Sequence, residues 1–526
     1  MMSISLALTI VALCATVLLR KVGARERGLP PGPPTVPILG NLHLFPTESP
    51  YYKLTEWARK YGGIYSLKVG PGTVVVLTDA AAVRELMDRR SATTADRPPM
   101  HVADRTTGGL HMVFARSTQT WKTLRKTAAA VLTTQASTRH LLIQHAEATQ
   151  LLHDILHSPQ SFYTDIQRYS VSVILSILFG KRVPRYDAPE ITTFFNTLHQ
   201  WNGLLELGAT PPVDIIPILK FVPERWAKWK RDCKRVRRLQ RTLFFGLLEE
   251  TKERLRVGEV NGCYMEEVLA RKVELGMDDE MAGYSGGALL EAGSETTSNY
   301  LQSLVLALVA YPDAQKKAHE EMDRVVGEHR MPTLDDLEHM PYIRAMILET
   351  HRFRPVAPLA LPHATLAAEE YGGYTIPKGA TIFVNVWGIC HDPALYDKPE
   401  EFIPDRYLLT ENGKKPGVHG SDLKPSFPFG FGRRLCPGIH LAQNSININA
   451  MNLVWAFNFN PDIGADGNPI PSDTGAYTKG AAPAPLPFKC QITPRTPGKA
   501  KMIERKFLEA ADTFSKFEAA LGSEDT

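Results

Sequence analysis

Residues 429–438 read Phe-Gly-Phe-Gly-Arg-Arg-Leu-Cys-Pro-Gly and carry the strongest chemical signal in the chain. Glycines at 430, 432 and 438 let the backbone come close to something flat and bulky, because no side chain stands in the way. Cys436 precedes a run through Ile439, Leu441 and Ala442 that reads as a helix with Pro437 at its first position. A cysteine at a helix start meets the positive end of the macrodipole and free N–H groups, which favour the thiolate as a metal ligand or nucleophile. With one thiolate and no C-x-x-C pair or histidine in the loop, zinc and iron–sulfur sites are poorly supported. A haem held through one axial thiolate fits, with Phe429 shielding the sulfur and Arg434 supplying a fixed cation. The alternative is a buried structural cysteine in a glycine-rich loop.

A second group lies at Ala292-Gly293-Ser294-Glu295-Thr296-Thr297, inside a helix whose other residues include Leu289, Leu290, Leu301, Leu304, Val305 and Leu308. An acid and two hydroxyls amid so apolar a helix are costly unless they serve a site. The competing reading is threonine hydroxyls bonded back to the preceding turn. Trp121 and Arg125 stand one helical turn apart, and arginine is permanently charged and well shaped to grip a carboxylate. Glu-x-x-Arg occurs at Glu56/Arg59, Glu253/Arg256, Glu321/Arg324 and Glu349/Arg352, so that spacing alone selects nothing. Only the last pair is followed by Arg354-Pro355 and, further on, by Phe402-Ile403-Pro404-Asp405-Arg406-Tyr407. Taken alone, it would read as a solvated surface pair.

The loop around Cys436 resembles the haem-binding loop of the cytochrome P-450 superfamily, Phe-x-x-Gly-x-Arg-x-Cys-x-Gly. Its five fixed positions recur by chance on the order of once in ten thousand chains of this length. The remaining motifs stand in the family's order, and the resemblance covers roughly residues 29–495. It implies a mainly α fold with small β-sheets, the cytochrome P-450 fold, preceded by an N-terminal membrane anchor helix. It also implies haem b (iron protoporphyrin IX) ligated by Cys436, with Trp121, Arg125, His363 and Arg434 on its propionates and with Phe429 and Gly438 beside it. Gly293 would leave room for O2, Thr296 would hydrogen-bond it, and Glu295 would relay protons. Aspartate is also frequent at the position of Glu295, and glutamate keeps the charge while lengthening the relay. Glu349, Arg352 and Arg406 would form a structural salt-bridge network that locks the coil under the haem. By analogy of position Val113, Phe114, Ala288, Ala292, Ala357, Leu359 and Tyr477 line a largely apolar substrate pocket. No histidine other than His363 has a supported ligand role.

The elements that must position these residues follow from local patterns. Ile64–Val69 and Thr73–Thr78 flank Gly-Pro-Gly and read as a hairpin, and Asp79 caps a short helix after it. Residues 121–327 read as long helices broken near Pro184, Pro211–Pro223 and Pro312. Thr333-x-x-Asp336 resembles a capping box opening a helix to about Phe353. Residues 374–376 and 381–384 read as a second hairpin, and 388–428 as a long coil ordered by packing.

Residues 2–19 carry no charge, and Arg20, Lys21, Arg25 and Arg27 follow at once. Charge behind the apolar run, not before it, reads as an uncleaved transmembrane anchor with the body on the cytosolic side. Residues 20–40 form a basic, proline-rich hinge, 41–495 the haem-thiolate catalytic domain, and 496–526 a C-terminal extension. There Ile503, Phe507, Ala510, Phe514, Phe517 and Leu521 outline one amphipathic helix ending at Gly522.

The chain of 526 residues has a net charge of +4, and its body beyond residue 40 is close to neutral, which argues against a nucleic-acid binder. Its 44% hydrophobic and 22% charged residues are ordinary globular values, and its 6 scattered cysteines suggest no disulfide framework. The expected activity is that of a monooxygenase inserting one atom of O2 into an apolar small molecule, a secondary metabolite of a fungal enzyme type. Electrons would come from NADPH through a separate reductase, with Lys122, Lys126 and Arg433 helping to dock that partner. The expected location is the endoplasmic reticulum membrane, in a single-pass arrangement. A haem-thiolate isomerase or dehydratase and a non-catalytic haem-binding protein are the competing readings.

Overall fold

The structure is a computed structural model that describes residues 22–518 except 419–423 and 425. The expected anchor, 2–19, and the end of the C-terminal stripe, Leu521 and Gly522, lie outside the described residues. Among the described residues no helix is long and apolar enough to cross a membrane.

Helices dominate. In chain order those that matter to the site are α1 (Gln119–Leu132), α2 (Leu141–His157), α3 (Phe162–Phe179), α4 (Pro189–Leu205), α5 (Lys228–Arg256), α6 (Asp279–Ala310), α7 (Pro341–Phe353), α8 (Ile439–Ala456) and α9 (Pro497–Glu509). The central helix is α6, whose 32 residues span about 48 Å. It starts where Asp278 Oδ1 accepts from the Met281 amide at 2.7 Å, with Asp279 and Glu280 favourably placed in the first turn. It ends just before Pro312, which disfavours helix at the residue preceding it. Glycines let aromatic rings close on this helix. A Cβ at Gly287 would stand 2.2 Å from Phe244 of α5, and one at Gly286 2.6 Å from Phe179 of α3.

The strands are β1 (Ile64–Val69), β2 (Gly72–Leu77), β3 (His363–Ala364), β4 (Glu369–Tyr371), β5 (Tyr374–Ile376), β6 (Thr381–Val384), β7 (Phe457–Pro461) and β8 (Cys490–Pro494). The first hairpin forms as expected, β1 against β2, and Asp79 caps the next turn through the Ala82 amide at 2.7 Å. The second expected hairpin does not form. β5 pairs instead with β4 across Gly372-Gly373, while β6 runs parallel to β2 and antiparallel to β3 in a sheet ordered β1-β2-β6-β3. Both glycines adopt positive φ and make the tight turn between β4 and β5, and β6 gains more by burying Ile382 and Val384 beside β2.

Other boundaries also moved. The Thr333/Asp336 capping box is present, but it opens a 3-10 turn, Leu334–His339, and Pro341 starts α7 as a separate helix. The helix after Cys436 begins at Ile439 with Gly438 as its N-cap, so Pro437 lies before it. The C-terminal stripe forms two helices, α9 and a short Ala511–Phe514 turn, broken at Ala510. Ile503 and Phe514 are buried against the body. The hinge is fastened to β1: the Lys68 ammonium donates to Glu26 at 2.7 Å, and Arg25 donates to the Pro30 and Ser66 carbonyls at 2.8 and 2.9 Å.

Candidate functional site

The coil below α6 is held by buried charge. Glu349 is fully buried on α7, and Arg352 shares its helix face three residues on. Arg352 donates to both carboxylate oxygens at 2.8 Å, while Arg406 Nε donates to Oε1 at 3.1 Å and the Ile403 amide to the same oxygen at 2.8 Å. Arg352 Nη1 reaches the Cys390 and Pro399 carbonyls, and Nη2 the Glu401 carbonyl, at 2.8–2.9 Å. The three charged residues expected to form a network do so, and they tie α7 to the coil that leads to Cys436.

In the loop itself the Cys436 amide donates to the Phe429 carbonyl at 2.8 Å. The Gly432 amide donates to Asp88 at 2.8 Å, and a Cβ at Gly432 would stand 2.3 Å from the Met87 carbonyl oxygen, so this position requires glycine. A Cβ at Gly438 would lie 4.0 Å from Cys436 Sγ, against the sulfur. Burial pushes the Cys436 thiol up, while the Gly438 amide and the Arg125 guanidinium pull it back towards the thiolate. The Phe429 ring contacts His351, 5.4 Å between centroids.

Beside the loop the structure gathers cations. Arg434 lies over the Trp121 ring at 3.9 Å and donates to the Ala95 and Ala115 carbonyls at 2.8 and 2.9 Å. Its Nη1 is buried with no hydrogen-bond partner among the described residues. Arg125 donates to the Leu435 carbonyl. Arg97, which the sequence did not mark, donates to the Val113, Leu361 and Pro362 carbonyls. Burial and the Arg434 charge hold Arg97 down at about 9, and burial holds Arg434 down at about 10. His363 is buried, and burial with the Arg97 charge drives it down to about 3; its Nδ1–H therefore donates to the Thr94 carbonyl at 2.9 Å from a neutral ring. Cations that depress one another and leave a donor orphaned call for an anionic ligand. Two propionates and an iron next to a single thiolate satisfy that demand, so the residues present fit haem. Arg97 could have been suspected only from its place before Pro98, a weak local signal.

On α6, Ala292 and Thr296 are exposed on one face, whereas Ala288 is fully buried. Thr296 Oγ1 donates back to the Ala292 carbonyl at 2.8 Å. Glu295 accepts from Asn202 of α4 at 2.9 Å. Burial, then the charge of Glu291 one turn earlier, raise Glu295 to about 7 against the opposing effect of Asn202. Glu291 is itself buried, bonded to His111 Nε2 at 2.9 Å and to Gln240 at 3.2 Å. Neither Asn202 nor His111 was marked by the sequence, because each partner comes from a distant element. A Cβ at Gly293 would meet Ile174 at 2.8 Å, so this glycine is where α6 packs closely on α3.

The expected pocket residues disperse. Val113 and Phe114 are half-buried, and Phe114 packs edge-on against Trp201, 5.7 Å between centroids. Ala357 is half-buried, and Leu359 packs on the cluster under the β1-β2 sheet. Tyr477 donates its hydroxyl to Ser303 at 3.0 Å and lines a small cleft with Tyr51, Arg354 and Trp387.

The raised carboxyl of Glu295 sets a pH dependence. Below about 7 it carries a proton that it can pass on, and above it the carboxylate accumulates. Product formation at saturating substrate should fall as pH rises through about 7. Glu295→Gln should lower the rate by about a hundredfold and remove that limb. A Gln variant with the wild-type pH profile would assign the limb to another group.

A family model described as Cytochrome P450 matches residues 30–487. The chain is 43% identical over 516 residues to a cytochrome P450 monooxygenase of Armillaria gallica, covering 98% of each. It is 40% identical to one of Arthrobotrys oligospora, covering 94% of each, and 38% identical to one of Aspergillus niger, covering 92% of this chain and 93% of that one. A zebra fish cytochrome P450 structure with abiraterone superposes with a TM-score of 0.67 at 24% identity, covering 85% of this chain and 100% of that one.

Proposed function

The chain belongs to the cytochrome P450 family, and from that premise we propose that this monooxygenase oxidises an apolar small molecule of fungal secondary metabolism, drawing electrons from NADPH through a separate reductase. The observation that carries the reading is the seat beside Cys436, where Arg125, the buried guanidiniums of Arg97 and Arg434 and an orphaned donor on Arg434 gather at the single thiol of a glycine-rich loop.

When bound, thiolate-ligated haem supplies reductive activation of O2 and insertion of one of its atoms, the other leaving as water. Cys436 would hold the iron. Arg97, Arg434 and Trp121 would hold the propionate edge and Arg125 braces the loop at Leu435, whereas His363, whose one N–H is spent on the Thr94 carbonyl, offers the propionates no donor. Thr296 stands on the exposed face with its hydroxyl donated back to the Ala292 carbonyl, which leaves its oxygen able to accept, and Glu295 holds a proton near neutral pH beside Asn202. Half-buried apolar side chains such as Val113 and Phe114 favour an apolar substrate and limit water near the reacting atoms.

Three features support the expected partners. Lys122, Lys126 and Arg433 are exposed and suit an acidic reductase surface. Ile218, Phe221 and Trp226 stand 69–82% exposed, an apolar patch suited to a membrane surface. Together with the uncharged run at 2–19, this favours a single-pass protein of the endoplasmic reticulum with a cytosolic catalytic domain.

The test is turnover of candidate metabolites with NADPH, reductase and isotopically labelled O2. The expected product carries one labelled oxygen atom and requires all three components. Product formed without NADPH or O2 would identify a rearranging enzyme instead.

A further inference from the structure

We propose that His153, His157 and Glu504 form a site for a zinc-class divalent cation that fastens the C-terminal helix to the body. His153 and His157 are four residues apart on α2, so their imidazoles leave the same face of its last turns. α9 lies against α2 and brings Glu504 between them. His157 Nε2 stands 2.7 Å from one carboxylate oxygen, and His153 Nε2 3.4 Å from the other. One ligand atom from each residue lies within 4.8 Å of the others. Tetrahedral zinc, with bonds of about 2.0–2.1 Å, spaces its ligand atoms by roughly 3.4 Å, so closure takes a shift of about an ångström.

Further contacts prepare the donors. The His153 ring stacks on Phe507 of α9, 3.9 Å between centroids and 16° between planes, which fixes its orientation. Its Nδ1 faces Asp154 at 3.9 Å, the kind of outer carboxylate that orients a ligating imidazole. The three side chains are 22%, 55% and 44% exposed, open enough for a cation to enter and for water to complete the coordination. Two imidazoles and one carboxylate suit zinc and its borderline neighbours, whereas magnesium and calcium prefer oxygen donors throughout.

The site lies where the extension needs a fastening. α9 buries Ile503 next to Glu504, and its start is tied by Lys499 and Arg495 to Asp323. The chain beyond it is tied by Arg182, which donates to Glu518 and lies over the Phe514 ring at 3.6 Å. A cation at Glu504 would cross-link the middle of α9 to the end of α2, and by mass action it would stabilise the docked extension.

The test titrates Zn2+ into the full-length haem protein, treated with chelator and freed of any purification tag, by calorimetry. One Zn2+ per chain with a Kd of order 1–10 μM is expected, with no comparable uptake of Mg2+. His157→Ala and Glu504→Gln should each weaken binding by about 10–100-fold, while an unchanged Soret absorption confirms that both variants keep their fold and haem. Zinc should also slow proteolysis at the C-terminal extension in the wild type and not in the variants. Absence of uptake, or uptake that survives either substitution, would overturn the proposal and leave only two imidazole–carboxylate ion-pair contacts.

Discussion

Replacing Cys436 by serine should abolish the strongly red-shifted Soret band of the dithionite-reduced protein under carbon monoxide, and turnover should fall to background. Serine keeps the size of the side chain and can still accept from the Gly438 amide, so the loop retains its shape while the sulfur is lost. No other cysteine among the described residues can take over. Burial raises the Cys233 thiol and holds Cys263 up at about 11 and Cys390 and Cys490 at about 12, and none of the four stands beside Arg125 and the Gly438 amide as Cys436 does. Cys390→Ser should therefore keep the shifted band. A serine variant at 436 that retained it would place the thiolate elsewhere and remove the assignment of the loop.

Glu349→Gln should cost on the order of 3–5 kcal/mol, because it leaves two buried guanidiniums facing a neutral amide. That is a large share of the roughly 5–15 kcal/mol by which proteins are stable. The expected readouts are a lower melting temperature by circular dichroism and substoichiometric haem after purification. Arg352→Lys should also fail, since one ammonium cannot span both oxygens of Glu349 together with the Cys390, Pro399 and Glu401 carbonyls that Arg352 reaches. A surface-type pair such as Arg256–Glu253 serves as the control, and Glu253→Gln should leave the melting temperature essentially unchanged. Equal stability of the Glu349 and Glu253 variants would show that burial adds nothing to this network.

That comparison shows where reading from sequence stops. Glu253/Arg256 and Glu349/Arg352 have the same spacing, and only their order relative to other motifs separated them. In the folded protein the separation is physical: the first pair is exposed, and the second sits at 0–2% exposure with a third charge from a distant coil. The same limit explains the pairing of β6. β-rich composition beside a Pro-Lys-Gly turn identified the strand, but its partners β2 and β3 lie outside the window in which turn chemistry operates. Arg97, Asn202 and Glu504 went unmarked for the same reason, each acquiring its role from a residue on another element.

What the sequence by itself determined was the chemistry that neighbouring residues build together: the glycine-lined thiolate loop, the acid and hydroxyl on an apolar helix, the first hairpin and its Asp79 cap, and the family to which they belong. Such features depend on backbone freedom, helix period and capping, which act over a turn or two of chain. Tertiary structure alone decided the cationic seat that joins Arg97 to Arg434, the burial that holds Glu295 near neutral pH, and the meeting of two histidines with Glu504. Burial, mutual charge and desolvation arise only when distant segments close together, and no local pattern records that closure.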